Sequence, residues 1–110
     1  LHEEDGLDSC KTVVVAYGAS ARSARHAVKE ARQRRIKVGM LTLLTIWPFP
    51  EDLLARVGHT ATRIVVPEMN LGQLALEVER VAGRQKVVRV NRANGEMVSP
   101  QMILEAIEGR

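Results

Sequence analysis

The stretch KTVVVAYGAS, residues 11–20, decides the fold. Val13, Val14, Val15, Ala16 and Tyr17 form one unbroken apolar run. A strand with one wet face would alternate apolar and polar residues, whereas a continuous β-branched run suits a strand covered on both faces, as in a parallel sheet between helices. Gly18 ends the run, and small residues lead into a helical pattern. Strand, glycine turn and helix make the opening half of a βαβ unit.

Working outward, residues 1–10 (LHEEDGLDSC) show no period and read as a flexible lead-in. Downstream of the first strand, Ala24, Ala27, Val28 and Ala31 fit the i, i+3, i+4, i+7 template of a helix over about residues 20–35. Those small residues allow the helix to lie close on a sheet. Its opposite face carries Arg22, Arg25, Lys29 and Arg32. A second strand, VGMLTLLTI at residues 38–46, ends in Trp47-Pro48-Phe49-Pro50. Pro50 suits the first turn of a short helix, with Leu53, Leu54 and Val57 on its buried side and Gly58 as its stop. A third strand follows at residues 62–68 and a helix from Leu71 to Gly83. A fourth, more alternating strand at residues 86–90 reads as an edge, and Asn94-Gly95 as a turn. Ser99 then caps a last helix, with Pro100 in its first turn.

The alternation predicts one α/β domain over residues 11–110, a three-layer α/β/α sandwich with a mainly parallel sheet. Numbering the four apolar strands in chain order, the expected order is 2-1-3-4. At 110 residues, 45% hydrophobic and 26% charged, the chain has the make-up of one globular domain. The net charge of +3 and three aromatic residues do not argue for nucleic acid. No apolar stretch reaches membrane-spanning length. One cysteine, Cys10, allows neither a disulfide framework nor a thiolate cluster within the chain, and with no signal-peptide pattern it points to the cytoplasm. A first residue other than Met fits a piece of a longer subunit.

Four constellations bear on chemistry. Gly18-Ala19-Ser20 could present backbone N–H groups to a phosphorylated ligand, but the dinucleotide fingerprint has glycines where Ser20 and Ser23 stand, and the P-loop lysine is missing. The basic helix face reads as a solvated surface or a salt-bridged protein interface. His2, His26 and His59 lack the spacing of a helical zinc pair. Glu68, Asn70, Gly72 and Gln73 fall at the carboxyl end of an inner strand, where open α/β sheets bind ligands; helix capping is the competing role. None of these supplies a nucleophile, a base and an orienting partner together.

The segment Trp47-Pro48-Phe49-Pro50, the run Glu68-x-Asn70-x-Gly72-Gln73-Leu74, the stretch from Val13 to Ser20 and the closing SPQMILEAI at residues 99–107 occur in an order that resembles the α subunits of 2-oxoacid:ferredoxin oxidoreductases. The resemblance covers about residues 11–107 and implies the C-terminal, transketolase-like domain of that subunit. It implies an enzyme that oxidatively decarboxylates a 2-oxoacid to an acyl-CoA, with thiamine diphosphate, magnesium and iron–sulfur clusters in the complex and electrons passing to ferredoxin. It also implies that those cofactors lie outside this chain, and that the chain's role is packing against the remainder of the α subunit and the β subunit. The matching domain of a transketolase or of a 2-oxoacid dehydrogenase E1 β subunit is the alternative, as is a free-standing module binding phosphate at Gly18, Ala19 and Ser20. Trp47 and Phe49, held by prolines, are candidate interface anchors.

Lacking the thiamine motif and any acid–base constellation, the isolated chain is expected to give no saturable heat when titrated with thiamine diphosphate and magnesium. A micromolar dissociation constant would overturn this.

Overall fold

The computed structural model describes residues 2–7, 10–45, 49–68, 73–91 and 98–109. In chain order the elements are β1 (His2–Asp5), β2 (Thr12–Tyr17), α1 (Ser20–Gln33), β3 (Val38–Leu43), α2 (Glu51–Thr60), β4 (Arg63–Pro67), α3 (Gln73–Ala82), a 3-10 turn (Arg84–Lys86), β5 (Val87–Val90) and α4 (Pro100–Glu108). They build one sheet of order β1-β3-β2-β4-β5. β2 pairs in parallel with β3 and β4, and β4 in parallel with β5. The parallel part thus has the order expected from the sequence, with β2 inside and β5 at an edge.

The apolar run of β2 divides by parity. Val14 and Ala16 pack under α1 and α4 with Met40, Val65 and Ile103. Val13 and Val15 pack under α2 and α3 with Leu41, Ile64, Leu54 and Leu74. All four β2 residues are essentially inaccessible to solvent. The result is a helix layer on each face of a mainly parallel sheet.

One strand escapes the sequence reading. His2–Asp5, placed in the lead-in, forms β1 and pairs antiparallel with β3, His2 opposite Leu43 and Asp5 opposite Met40. Its four residues are all exposed, so it carries no apolar period to detect. It is held by the ladder and by Arg32, whose guanidinium donates to the Val38 carbonyl (3.1 and 2.9 Å), the Asp5 carbonyl (3.2 Å) and the Asp5 carboxylate (3.1 Å). Arg32 therefore leaves the solvated basic face and ties α1, β1 and β3 together.

The helix ends show further departures. Gly58 does not stop α2, which runs on to Thr60. A Cβ on Gly58 would lie 2.9 Å from the Ala82 Cβ, so the glycine is there for the close approach of α3. The Lys86 ammonium donates to the Gly58 carbonyl, a cation at a helix C-terminus. β3 ends at Leu43, short of Ile46, and Asn94-Gly95 lies outside the described residues. The Ser99 cap is as expected: its hydroxyl accepts from the Met102 amide at 3.3 Å, and Pro100 sits in the first turn.

Between elements, Glu79 of α3 takes two bonds from Arg89 of β5, at 2.7 and 2.8 Å. That hydrogen bonding holds the Glu79 carboxyl below its usual value. A lowered folded pKa contributes stability above the unfolded carboxylate pKa and loses it as pH falls through the folded one.

α1 closes with the Ile36 amide bonded to the Ala31 carbonyl (2.9 Å), and the intervening Arg35 has φ 65°. This is a Schellman closure with a non-glycine residue in the left-handed position. Arg35→Gly is expected to raise stability by about 0.5–1 kcal/mol, since relief of the left-handed penalty exceeds the flexibility glycine adds to the unfolded chain. A urea midpoint that does not rise would contradict this.

Candidate functional site

All four parallel strands point their carboxyl ends to one edge of the sheet, at Tyr17, Leu43, Pro67 and Val90. Open α/β sheets use this edge for ligands, and the site candidates from the sequence converge on it. Trp47, Asn70 and Gly72 lie outside the described residues. Phe49, Glu68 and Gln73 are described, and they part company.

Glu68 follows β4 and is 7% exposed. Its carboxylate accepts from the Ala75 amide (2.8 Å) and the Leu74 amide (3.2 Å), two otherwise unsatisfied donors of the first turn of α3. Its own amide donates to the Val90 carbonyl at 3.1 Å, so the residue also fixes β5 beside β4. A negative charge at a helix N-terminus is favoured by the dipole. Both oxygens are thus engaged in capping, the competing role that the sequence offers for this segment. Gln73, the first residue of α3, is exposed.

Phe49 is buried, 9% exposed, and joins the core beneath α2 and α3. Its ring is apolar area for the end of that core, just ahead of α2. The ring belongs to the core of this domain and is not exposed on it.

At the other crossover, Gly18 adopts φ 66°, as the sharp turn from β2 into α1 requires. Ser20 turns its hydroxyl back onto the Tyr17 carbonyl at 2.9 Å and is buried. The α1 entry therefore has the bonding of a tight strand-to-helix turn, with the serine committed inside the chain. Arg22, Arg25 and Lys29 have no hydrogen-bond or ion-pair partner among the described residues. His2 bonds Glu4 at 3.0 Å, while His26 and His59 stand exposed on different helices.

With one cysteine the chain cannot supply the four thiolates of an iron–sulfur cluster by itself. Cys10 is buried and donates to the Gly6 carbonyl at 2.9 Å. Among the described residues no three His, Cys, Asp or Glu side chains gather to hold a metal ion. No helix there is long and apolar enough to cross a membrane.

Two residues that the sequence reading placed inside strands turn out to be exposed at this edge. Tyr17 is 37% and Leu44 51% exposed. With Gly18, Ala21, Glu3 and Arg25 they border a shallow cleft of about 280 Å³. An apolar run gives no sign of which of its end residues no helix covers, so neither was singled out.

Glu68→Ala is expected to destabilise the domain by about 1–2 kcal/mol by leaving two helix amides without a partner. Glu68→Gln, which keeps one acceptor, should lose less. Denaturant unfolding, with amide exchange at Leu74 and Ala75 as the local readout, checks this; unchanged exchange in Glu68→Ala would refute the capping role.

Compared with known proteins, residues 10–103 match the family model of the pyruvate:ferredoxin oxidoreductase core domain II. The 2-oxoglutarate synthase subunit KorA of Methanocaldococcus jannaschii is 41% identical over 108 residues, 97% of this chain and 29% of that protein. The ketoisovalerate oxidoreductase subunit VorB of Methanothermobacter thermautotrophicus is 37% identical over 106 residues, 96% of this chain and 30% of that protein. The chain thus spans less than a third of the length of these relatives. Among solved structures, a 2-oxoglutarate:ferredoxin oxidoreductase from Magnetococcus marinus superposes with a TM-score of 0.86 at 21% identity, over 99% of this chain and 19% of that one. A split-gene transketolase does so with a TM-score of 0.79 at 20% identity, over 97% of this chain and 40% of that one. At such identities the likeness is one of fold, and the fold is transketolase-like. The family match over most of the chain goes further: the chain belongs to the pyruvate:ferredoxin oxidoreductase core domain II family.

Proposed function

We propose that this chain is a non-catalytic domain of the α subunit of a 2-oxoacid:ferredoxin oxidoreductase, and that its task is packing and subunit assembly. The observation that supports this reading is the family match together with two buried polar groups at the carboxyl edge, Glu68 and Ser20, that are bonded inside the domain. Glu68 caps α3, and the Ser20 hydroxyl donates to the Tyr17 carbonyl. Neither is left to take a proton from a substrate. General acid–base work needs a group within reach of a reacting atom with its proton or lone pair available.

In this reading the enzyme oxidatively decarboxylates a 2-oxoacid to an acyl-CoA and passes electrons to ferredoxin. Thiamine diphosphate, magnesium and the iron–sulfur clusters belong to the rest of the complex, in the cytoplasm. The remainder of the α subunit and the β subunit are the direct partners. Relatives named for 2-oxoglutarate and for ketoisovalerate both match this chain. Recognition of the acid is therefore assigned to residues beyond it.

The test is to purify the full-length subunit with the proteins that accompany it and to follow ferredoxin reduction. Activity should require a 2-oxoacid and coenzyme A together, with 2-oxoglutarate, 2-oxoisovalerate and pyruvate as the panel. Excising this domain should disperse the complex. A complex that stays assembled and active without it would overturn the assembly role, and a preparation inert to every 2-oxoacid would overturn the enzyme assignment.

A further inference from the structure

The positive charge of the chain is concentrated on α1. Residues 20–37 hold seven of the sixteen Lys and Arg but only one of the thirteen Asp and Glu, so the rest of the chain is net acidic. Inside the domain this charge is matched only in part. Arg32 pairs with Asp5, and Arg34 with Glu30 and Glu108. Arg22, Arg25 and Lys29 are exposed and have no hydrogen-bond or ion-pair partner among the described residues. They recur at the i, i+3, i+7 spacing of one helix face, where like charges repel. No acidic residue stands in the first turn of α1 to offset them. Beside this ridge a groove of about 520 Å³ runs between α1 and β1, with Arg25 and Lys29 on the helix side, Asp5 on the strand side, and the buried Val28 and Met40 beneath.

We propose that the α1 ridge at Arg22, Arg25 and Lys29 docks the acidic surface of a separate protein that associates reversibly. Three unpaired cations within a few turns of one helix are complementary to an anionic partner. The surroundings decide which anion. Glu3 and Asp5 of β1 stand across from Arg25, and such a wall of carboxylates opposes a continuous phosphate tract, whereas a protein surface mixes both signs. α1 has no Phe, Tyr or Trp on which a base could stack. None of the large hydrophobic residues exposed in the described part of the chain lies on α1, so the ridge has nothing to enter a bilayer. The same lack of an exposed apolar centre marks a contact that dissociates, because permanent interfaces are the more hydrophobic ones. Complementary charge acts above all on the rate and selectivity of encounter, which is what a reversible partner requires.

The full-length subunit, purified with the proteins that accompany it, tests this with fluorescein-labelled poly-L-glutamate as the probe. Fluorescence anisotropy should show saturable binding that weakens as salt is added. Reversing the ridge with Arg22→Glu, Arg25→Glu and Lys29→Glu together should raise the dissociation constant about tenfold or more, and the charge-keeping set Arg22→Lys, Arg25→Lys and Lys29→Arg should leave it within about twofold. If the reversed protein fails to fold, the neutral set Arg22→Gln, Arg25→Gln and Lys29→Gln carries the same expectation of weaker binding. A carbodiimide, which condenses a carboxylate with an amine in contact with it, should join the probe to Lys29 rather than to the exposed Lys11. No binding, binding that loss of the three charges leaves unchanged, or adducts that avoid Lys29 would each overturn the inference. Duplex DNA or phosphatidylserine vesicles held more tightly than poly-L-glutamate through the same three residues would also overturn it, by assigning the ridge to phosphate.

Discussion

The rest of the domain depends on the burial of β2 from both sides. Val13 and Val15 need one apolar partner layer, and Val14 and Ala16 need another, because adjacent side chains of a strand point to opposite faces. Each fully buried valine contributes on the order of 2 kcal/mol only if its own face is covered. A sheet with one wet side would forfeit half of that. Two helix layers are the solution, and the crossovers that join parallel strands supply them in sequence. α1 meets the requirement with alanines at 24, 27 and 31, all buried, so its backbone lies close over β2 and β3. Gly58 does the same between α2 and α3.

Once the apolar residues are assigned to the two cores, the polar ones close the ends of elements. Glu68 takes the first amides of α3, and Lys86 takes a late carbonyl of α2. Ser99 caps α4, and Arg32 secures β1. Buried or half-buried polar groups left unpaired would each destabilise the fold, which is why these are paired. The consequence for function is direct. A carboxylate that completes a helix and a serine that completes a turn are parts of the frame. Among the described residues of the carboxyl edge, Tyr17 and Leu44 are the large apolar side chains left exposed.

The layers, the parallel strand order and the Ser99 cap were legible in the sequence because each rests on local information: a buried strand reads as a continuous apolar run, an amphipathic helix as a 3.6-residue period, and a cap as a side chain two or three residues from the amide it serves. The central strand alone, from Val13 to Tyr17, was enough to demand helices on both faces, and the order of the later motifs resembles that of the ferredoxin-linked family. Tertiary structure decided what local pattern does not encode. β1 is wet on all four residues, so only its pairing with β3 and the reach of Arg32 across 27 positions to Asp5 reveal it. Gly58 looked like a helix stop, because a glycine in sequence does not say whether its missing side chain serves a turn or makes room for Ala82. Glu68 became a cap, Phe49 a core residue, and Tyr17 and Leu44 surface residues for one shared reason. Burial and hydrogen bonding at the end of a sheet depend on which elements converge there, and that convergence is set by the crossovers rather than by any stretch of neighbouring residues.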